Sequence, residues 1–127
     1  MVVTARDRRS YTCYAIQCDI NKKVYIGMSY NLENRLYSHF LQLKKGTHKA
    51  PGLQEDFDRY GVEAFTVYKL EENVGWQNAG EVEMKYTKMY QSYDRSFGYN
   101  KQTKTVDAAL YGKFKKKDGM PPMLKGV

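Results

Sequence analysis

Cysteine is scarce: the 127 residues hold only Cys13 and Cys18. Five apart on what reads as one strand, their side chains point to opposite faces, which excludes a bridge between them. Two cysteines without neighbouring histidines make no zinc site either, so buried free thiols in a reducing compartment are expected. Long apolar runs are missing too. No stretch approaches the roughly 18 apolar residues needed to span a bilayer, so no membrane partner is expected. The N-terminal residues Thr4, Arg6, Asp7, Arg8, Arg9 and Ser10 lack the apolar region of a secretory signal, and a soluble, cytoplasmic protein is the expectation. There is no internal repeat, and Lys115-Lys116-Lys117 is the only low-complexity stretch.

Acidic residues are outnumbered, 14 against 21 lysines and arginines, for a formal charge of +7. The excess is concentrated after residue 100, where seven lysines face only Asp107 and Asp118. Such a field favours a polyanion, because cations that neutralise phosphates release counterions. Apolar residues make up 42% of the chain, enough for one core, which argues against wholesale disorder. The expected organisation is one domain over residues 1–100 and a basic extension over 101–127, partly helical or loose.

Aromatic and β-branched residues predict a strand from Tyr11 to Cys18. Asp19-Ile20-Asn21-Lys22 supplies a turn, and Lys23 to Met28 reads as the returning strand. Asn31 caps a helix that starts at Leu32 and ends at Lys44-Lys45-Gly46, with Leu32, Leu36, Phe40 and Leu43 as its core stripe. A second helix is expected from about Gly52 to Tyr60, stopped by Gly61, with Leu53, Phe57 and Tyr60 on one face. Ala64 to Leu70 alternates as a third strand. A third helix runs from about Trp76 to Tyr90, with Val82, Tyr86, Met89 and Tyr93 on one side. Phe97-Gly98-Tyr99-Asn100 closes the domain, and a further helix is expected over Val106 to Phe114, followed by a loose segment at Pro121-Pro122. The order β-β-α-α-β-α predicts an α+β fold, a small three-stranded antiparallel sheet flanked by helices.

Several side chains carry chemical potential. Arg35 and His39 stack four apart on the first helix; the guanidinium suits a phosphate and the imidazole suits proton transfer. On the third helix Glu81 is four residues before Lys85, so its face reads as solvated and paired. Glu83 instead borders Val82 and shares a face with Tyr86 and Tyr90. A carboxylate beside an apolar stripe needs compensation, which a cation or a buried salt bridge supplies. Tyr14 and Tyr25 sit on the two hairpin strands, where either phenol serves as a core aromatic as readily as a reacting group. His48 and Asn100 stand in loops.

In this order the pieces resemble the GIY-YIG nuclease domain over about residues 11–100. Tyr25-Ile26-Gly27 is the second signature intact, followed at the family's spacing by Ser29, Asn31-Leu32, Arg35 and His39. Leu43-Lys44-Lys45-Gly46-Thr47-His48 and Leu53-Gln54-Glu55-Asp56-Phe57-Asp58-Arg59-Tyr60-Gly61 are similar to the homing-endonuclease branch. Glu81-Val82-Glu83 and Gly98-Tyr99-Asn100 match its later segments. Thr12-Cys13-Tyr14 replaces the first signature but keeps its tyrosine, and Asn34 stands where relatives often carry lysine. The resemblance implies a metal-dependent endonuclease that hydrolyses a DNA phosphodiester, with double-stranded DNA as partner. It implies that Glu83 holds Mg²⁺, for which Mn²⁺ substitutes, and that Arg35 steadies the phosphate. Tyr14 deprotonates water, with His39 orienting it or accepting its proton. Tyr25 positions water or phosphate, Asn100 braces the site, and His48 is an accessory. Lys44, Lys45, Lys113, Lys115, Lys116 and Lys117 are candidate nucleic-acid contacts. A non-cleaving nucleic-acid-binding module on the same fold is the alternative; a structural or protein-interaction domain that docks through the basic tail is a second, and a structure-specific repair enzyme a third. Relatives in the homing branch carry a separate DNA-binding region. The short extension here instead points to low specificity, a reading tail, a targeting partner or a homo-oligomer, in a phage or mobile element by analogy.

Overall fold

The computed structural model describes residues 9–101 together with 124–125. Its order is β1 (Tyr11–Cys18), β2 (Val24–Ser29), α1 (Leu32–Lys45), α2 (Pro51–Tyr60), β3 (Phe65–Val74), α3 (Ala79–Tyr90) and β4 (Leu124–Lys125). The three long strands form the antiparallel sheet that the sequence predicts. β1 lies in the middle, and the two-residue β4 lengthens the sheet beyond β3. The expected α+β fold is therefore present, with this small extra strand. The helix over Val106–Phe114, the Pro121-Pro122 segment, and Lys113, Lys115, Lys116 and Lys117 lie outside the described residues.

Period-two alternation along β1 splits the core between the two faces of the sheet. Tyr14, Ile16 and Cys18 face α1 and α2, where they pack with Leu36, Leu43 and Leu53. Cys13 and Ala15 face the other way, with Val24, Ile26, Leu70 and Tyr90 of α3. The two thiols are thus buried, free and on opposite faces, as their spacing requires. Each fully buried leucine, such as Leu43 or Leu53, contributes roughly 1.5–3 kcal/mol.

Local signals set the ends of α1. The Asn31 side chain accepts from the Asn34 amide at 3.1 Å, and Gly46 closes the helix at φ 76°, a left-handed geometry that suits glycine. β3 runs to Val74, four residues beyond the expected Leu70. Its length is set by its partner: register shifts against β1 near Cys13 admit extra residues, and Val74 still pairs with Tyr11. α3 starts at Ala79, because Trp76–Asn78 form a separate 3₁₀ turn. Lys85 does not pair with Glu81 as its helical spacing suggests; it reaches across to Glu71 on β3 at 2.9 Å. Residues 97–100 fold back on β2, with Val24 N–H donating to Phe97 O and Tyr99 N–H to Val24 O.

Two glycines test this packing with opposite signs. A Cβ at Gly98 would run into the Ser92 backbone, while at the exposed Gly80 of α3 it would meet nothing. Gly98→Ala should therefore cost about 1–3 kcal/mol in urea unfolding. Gly80→Ala should add about 0.4–1 kcal/mol by restricting the unfolded chain. Equal effects from the two substitutions would contradict the packing.

Candidate active site

Tyr14 stands opposite Gly27 in the β1–β2 register, and its ring lies across that glycine. A Cβ at Gly27 would come within 2.5 Å of the Tyr14 phenol, so only glycine lets the ring lie there. The Tyr14 side chain is buried, with 1% exposure, and a buried hydroxyl needs a partner. It finds one in His39 of α1, whose Nε2 lies 2.6 Å from the Tyr14 oxygen. His39 Nδ1 is in turn 2.7 Å from His48 Nε2, and the Ala50 amide donates to His48 Nδ1 at 3.0 Å. Tyr25 packs its ring edge-on against both imidazoles, 5.2 Å and 5.8 Å between centroids.

The loop that presents His48 is clamped by Gln54. The Gln54 carbonyl oxygen accepts from the His48 amide at 3.1 Å, and its amide group donates to Leu43 O at 2.9 Å. Asn100 grips β2 from the side, accepting from Ile26 N–H at 2.8 Å and donating to Ile26 O at 2.9 Å. Its side chain therefore holds the strand that carries Tyr25.

Arg35, one turn before His39, supplies positive charge at the rim of this cluster. Burial pushes both phenols above their ordinary range, while Arg35 pulls each back down. Burial, the neighbouring His48 and the Arg35 charge hold His39 down to about 3; burial and Arg35 hold His48 low as well. Glu83 approaches from α3. Partial burial raises its carboxyl, and Arg35 opposes that rise. Among the described residues no hydrogen bond or ion pair engages Glu83 directly.

The structure thus gathers Tyr14, Tyr25, Arg35, His39 and His48 in one cluster, with Glu83 in electrostatic reach and Asn100 behind β2. Lys44 and Lys45 are exposed at the end of α1. Beside Arg35 opens a cavity of about 360 Å³ lined by Tyr11, Ser29, Tyr30 and Asn34. A larger cavity of about 1010 Å³ lies near Tyr93, Arg95 and Lys101 and borders Asn100 but none of the clustered phenols or imidazoles.

Two contributors escape sequence reasoning. Gln54 and the Ala50 amide act through the backbone of a loop, which no periodicity marks. The buried Asp56, which accepts from Tyr99 Oη at 2.5 Å and from Asn21 Nδ2 at 2.8 Å, is signalled only by flanking the Leu53 stripe.

The family model described as the GIY-YIG catalytic domain matches residues 10–100. Among solved structures, the catalytic domain of intron endonuclease I-TevI, in a glutamate-to-alanine mutant, is 30% identical with a TM-score of 0.67. That match covers 77% of this chain and 99% of the other. The catalytic domain of homing endonuclease I-TevI matches at 30% identity and a TM-score of 0.66, over 73% and 99%. No curated protein matches.

The neutral histidines make stability depend on pH. Unfolded, each protonates near 6.5, so below that value the unfolded chain binds more protons than the folded one. Stability is full above pH 6.5 and falls as pH drops toward about 3, where folded His39 also protonates. From His39 alone the loss between pH 6.5 and about 5 is on the order of 1–2 kcal/mol, measurable by urea unfolding across that span. An equal slope in a His39→Gln, His48→Gln double variant would contradict neutral histidines.

Proposed function

Since the chain belongs to the GIY-YIG nuclease family, we propose that it is a metal-dependent endonuclease that hydrolyses phosphodiester bonds of double-stranded DNA. The observation that carries this reading is convergence. Two phenols, a guanidinium and two imidazoles from β1, β2, α1 and the following loop meet at one place, with a half-buried carboxylate in reach from α3.

Glu83 fits a divalent cation. It is a partly desolvated carboxylate without a direct partner among the described residues, and burying such a charge calls for compensation. Among the described residues no three His, Cys, Asp or Glu side chains gather into a cage. A single carboxylate suits a hard ion that keeps most of its own waters, as Mg²⁺ does, with Mn²⁺ as substitute. When bound, the ion supplies positive charge at the scissile phosphate.

The protein's own residues do the rest. Arg35 donates parallel hydrogen bonds to the phosphate oxygens and holds the charge that builds on them. Tyr14 takes the proton of the attacking water. A phenol does this only as phenolate, and Arg35 is the group that favours that form. Tyr25 orients water or phosphate through its hydroxyl and keeps both imidazoles in place with its ring. Asn100 holds the Tyr25 strand. Lys44, Lys45 and the basic residues beyond 100 bind the DNA backbone without reading sequence. Targeting falls to that basic segment, to a partner or to a second copy of the chain.

Cleavage of supercoiled plasmid in Mg²⁺ tests the reading. Glu83→Ala and Arg35→Ala should each slow cutting by about 10²–10³ or more while DNA binding persists. Cutting that survives in Glu83→Ala would remove the metal assignment. Binding without any cutting by the native chain would leave a non-cleaving binding module. Removing residues 101–127 should weaken DNA binding and flatten its dependence on salt, the logarithmic slope falling by about 0.9 for each phosphate that is no longer neutralised. An unchanged slope would free that segment from any role at the phosphates.

A further inference from the structure

The proton positions along the Tyr14–His39–His48 chain follow from its last member. The Ala50 main-chain amide always donates, and it points at His48 Nδ1. Nδ1 of His48 therefore carries no hydrogen, and in a neutral ring the hydrogen sits on Nε2. His48 Nε2 faces His39 Nδ1 at 2.7 Å, so it donates there, and His39 Nδ1 is likewise bare. The hydrogen of His39 must then lie on Nε2, 2.6 Å from the Tyr14 oxygen.

A charged ring at either position breaks the sequence of bonds. Protonated His48 would set an N–H against the Ala50 N–H, and protonated His39 would set one against the N–H of His48. The surroundings agree. Among the described residues the titratable groups facing the two rings are Tyr14 from β1, Tyr25 from β2 and Arg35 from α1, and no carboxylate acts on either imidazole. Glu83 on α3 acts on the phenols and on Arg35's field instead.

We propose that His48 is a positioning residue that fixes the direction of this relay. It makes His39 a donor to Tyr14, so that the Tyr14 hydrogen is turned away from the imidazoles. The consequence for catalysis rests on the nuclease reading above. Of the two roles open to His39, orienting Tyr14 and accepting its proton, the relay leaves only the first. The Tyr14 proton passes to a water molecule on the side away from the imidazoles, and the phenolate it leaves keeps the His39 N–H bond. Neither histidine changes protonation state during turnover.

The chain holds only these two histidines, which makes the test direct. In the 127-residue chain with ¹⁵N-labelled imidazoles, NMR at pH 7 should find both rings neutral, with Nε2 protonated and Nδ1 bare. A hydrogen on Nδ1 of either ring overturns the relay direction. In plasmid cleavage with Mg²⁺, His48→Leu should lower kcat by about 10- to 100-fold with little change in KM, the range for losing an orienting partner. His48→Gln, whose side-chain amide offers a donor near the missing Nε2, should recover most of that loss. His48→Leu at full kcat, or His48→Gln no faster than His48→Leu, overturns the positioning role. Native protein with the expected tautomers that cuts no DNA supports the relay and rejects the nuclease reading.

Discussion

A phenol inside a protein needs a partner for its oxygen, and much of this molecule is arranged around giving Tyr14 one. The ring reaches its place because Gly27 offers no side chain to stop it. Its oxygen is met by His39, which is buried at 4% exposure and so needs a partner in turn. That need is passed to His48 and finally to a main-chain amide, the one donor whose direction is fixed by covalent structure. A hairpin, a helix and a loop are thereby registered against one another by three hydrogen bonds in series. Low local polarity strengthens such a series and penalises any member left unpaired.

Charge is distributed on a different plan from hydrogen bonding. The polar cluster in the interior is neutral, and the ionised groups, Arg35 and Glu83, stand at its margin on separate helices. They feel one another without a direct bond. Among the described residues neither is consumed in a salt bridge, and Arg35 turns instead to the hydroxyls of Tyr14 and Tyr25. Exposed ion pairs elsewhere, such as Glu55 with Arg59 on α2, are ordinary surface pairs of small energetic weight.

Much of this was legible in the sequence. Period-two alternation in β1, the Asn31 cap and the glycine after Lys45 fix the first three elements closely, because each is governed by local chemistry. The ordered motifs point to the residues of the site. What stayed hidden depends on distance in space. The end of β3 is decided by the length of β1, since Glu71, Glu72 and Asn73 have no alternation of their own. Lys85 left its helical neighbour Glu81 for Glu71 because strand β3 passes closer. The relay needed coordinates, for no spacing in a sequence states which ring nitrogen faces which amide.

The return of residues 97–100 along β2 also bears on how the molecule behaves in a crowd. Outer strands with free amides and carbonyls invite neighbouring chains to pair with them. Here the Val24 amide and carbonyl are already taken, by Phe97 and Tyr99, and the Asn100 side chain occupies both main-chain groups of Ile26. On the other side β4 pairs with β3 at Tyr68 and Lys69, and the stretch of β3 beyond that pairing carries Glu71 and Glu72, charges that discourage lateral growth. The edge of the strand that carries Tyr25 is thus closed at Val24 and Ile26 to pairing with foreign backbone.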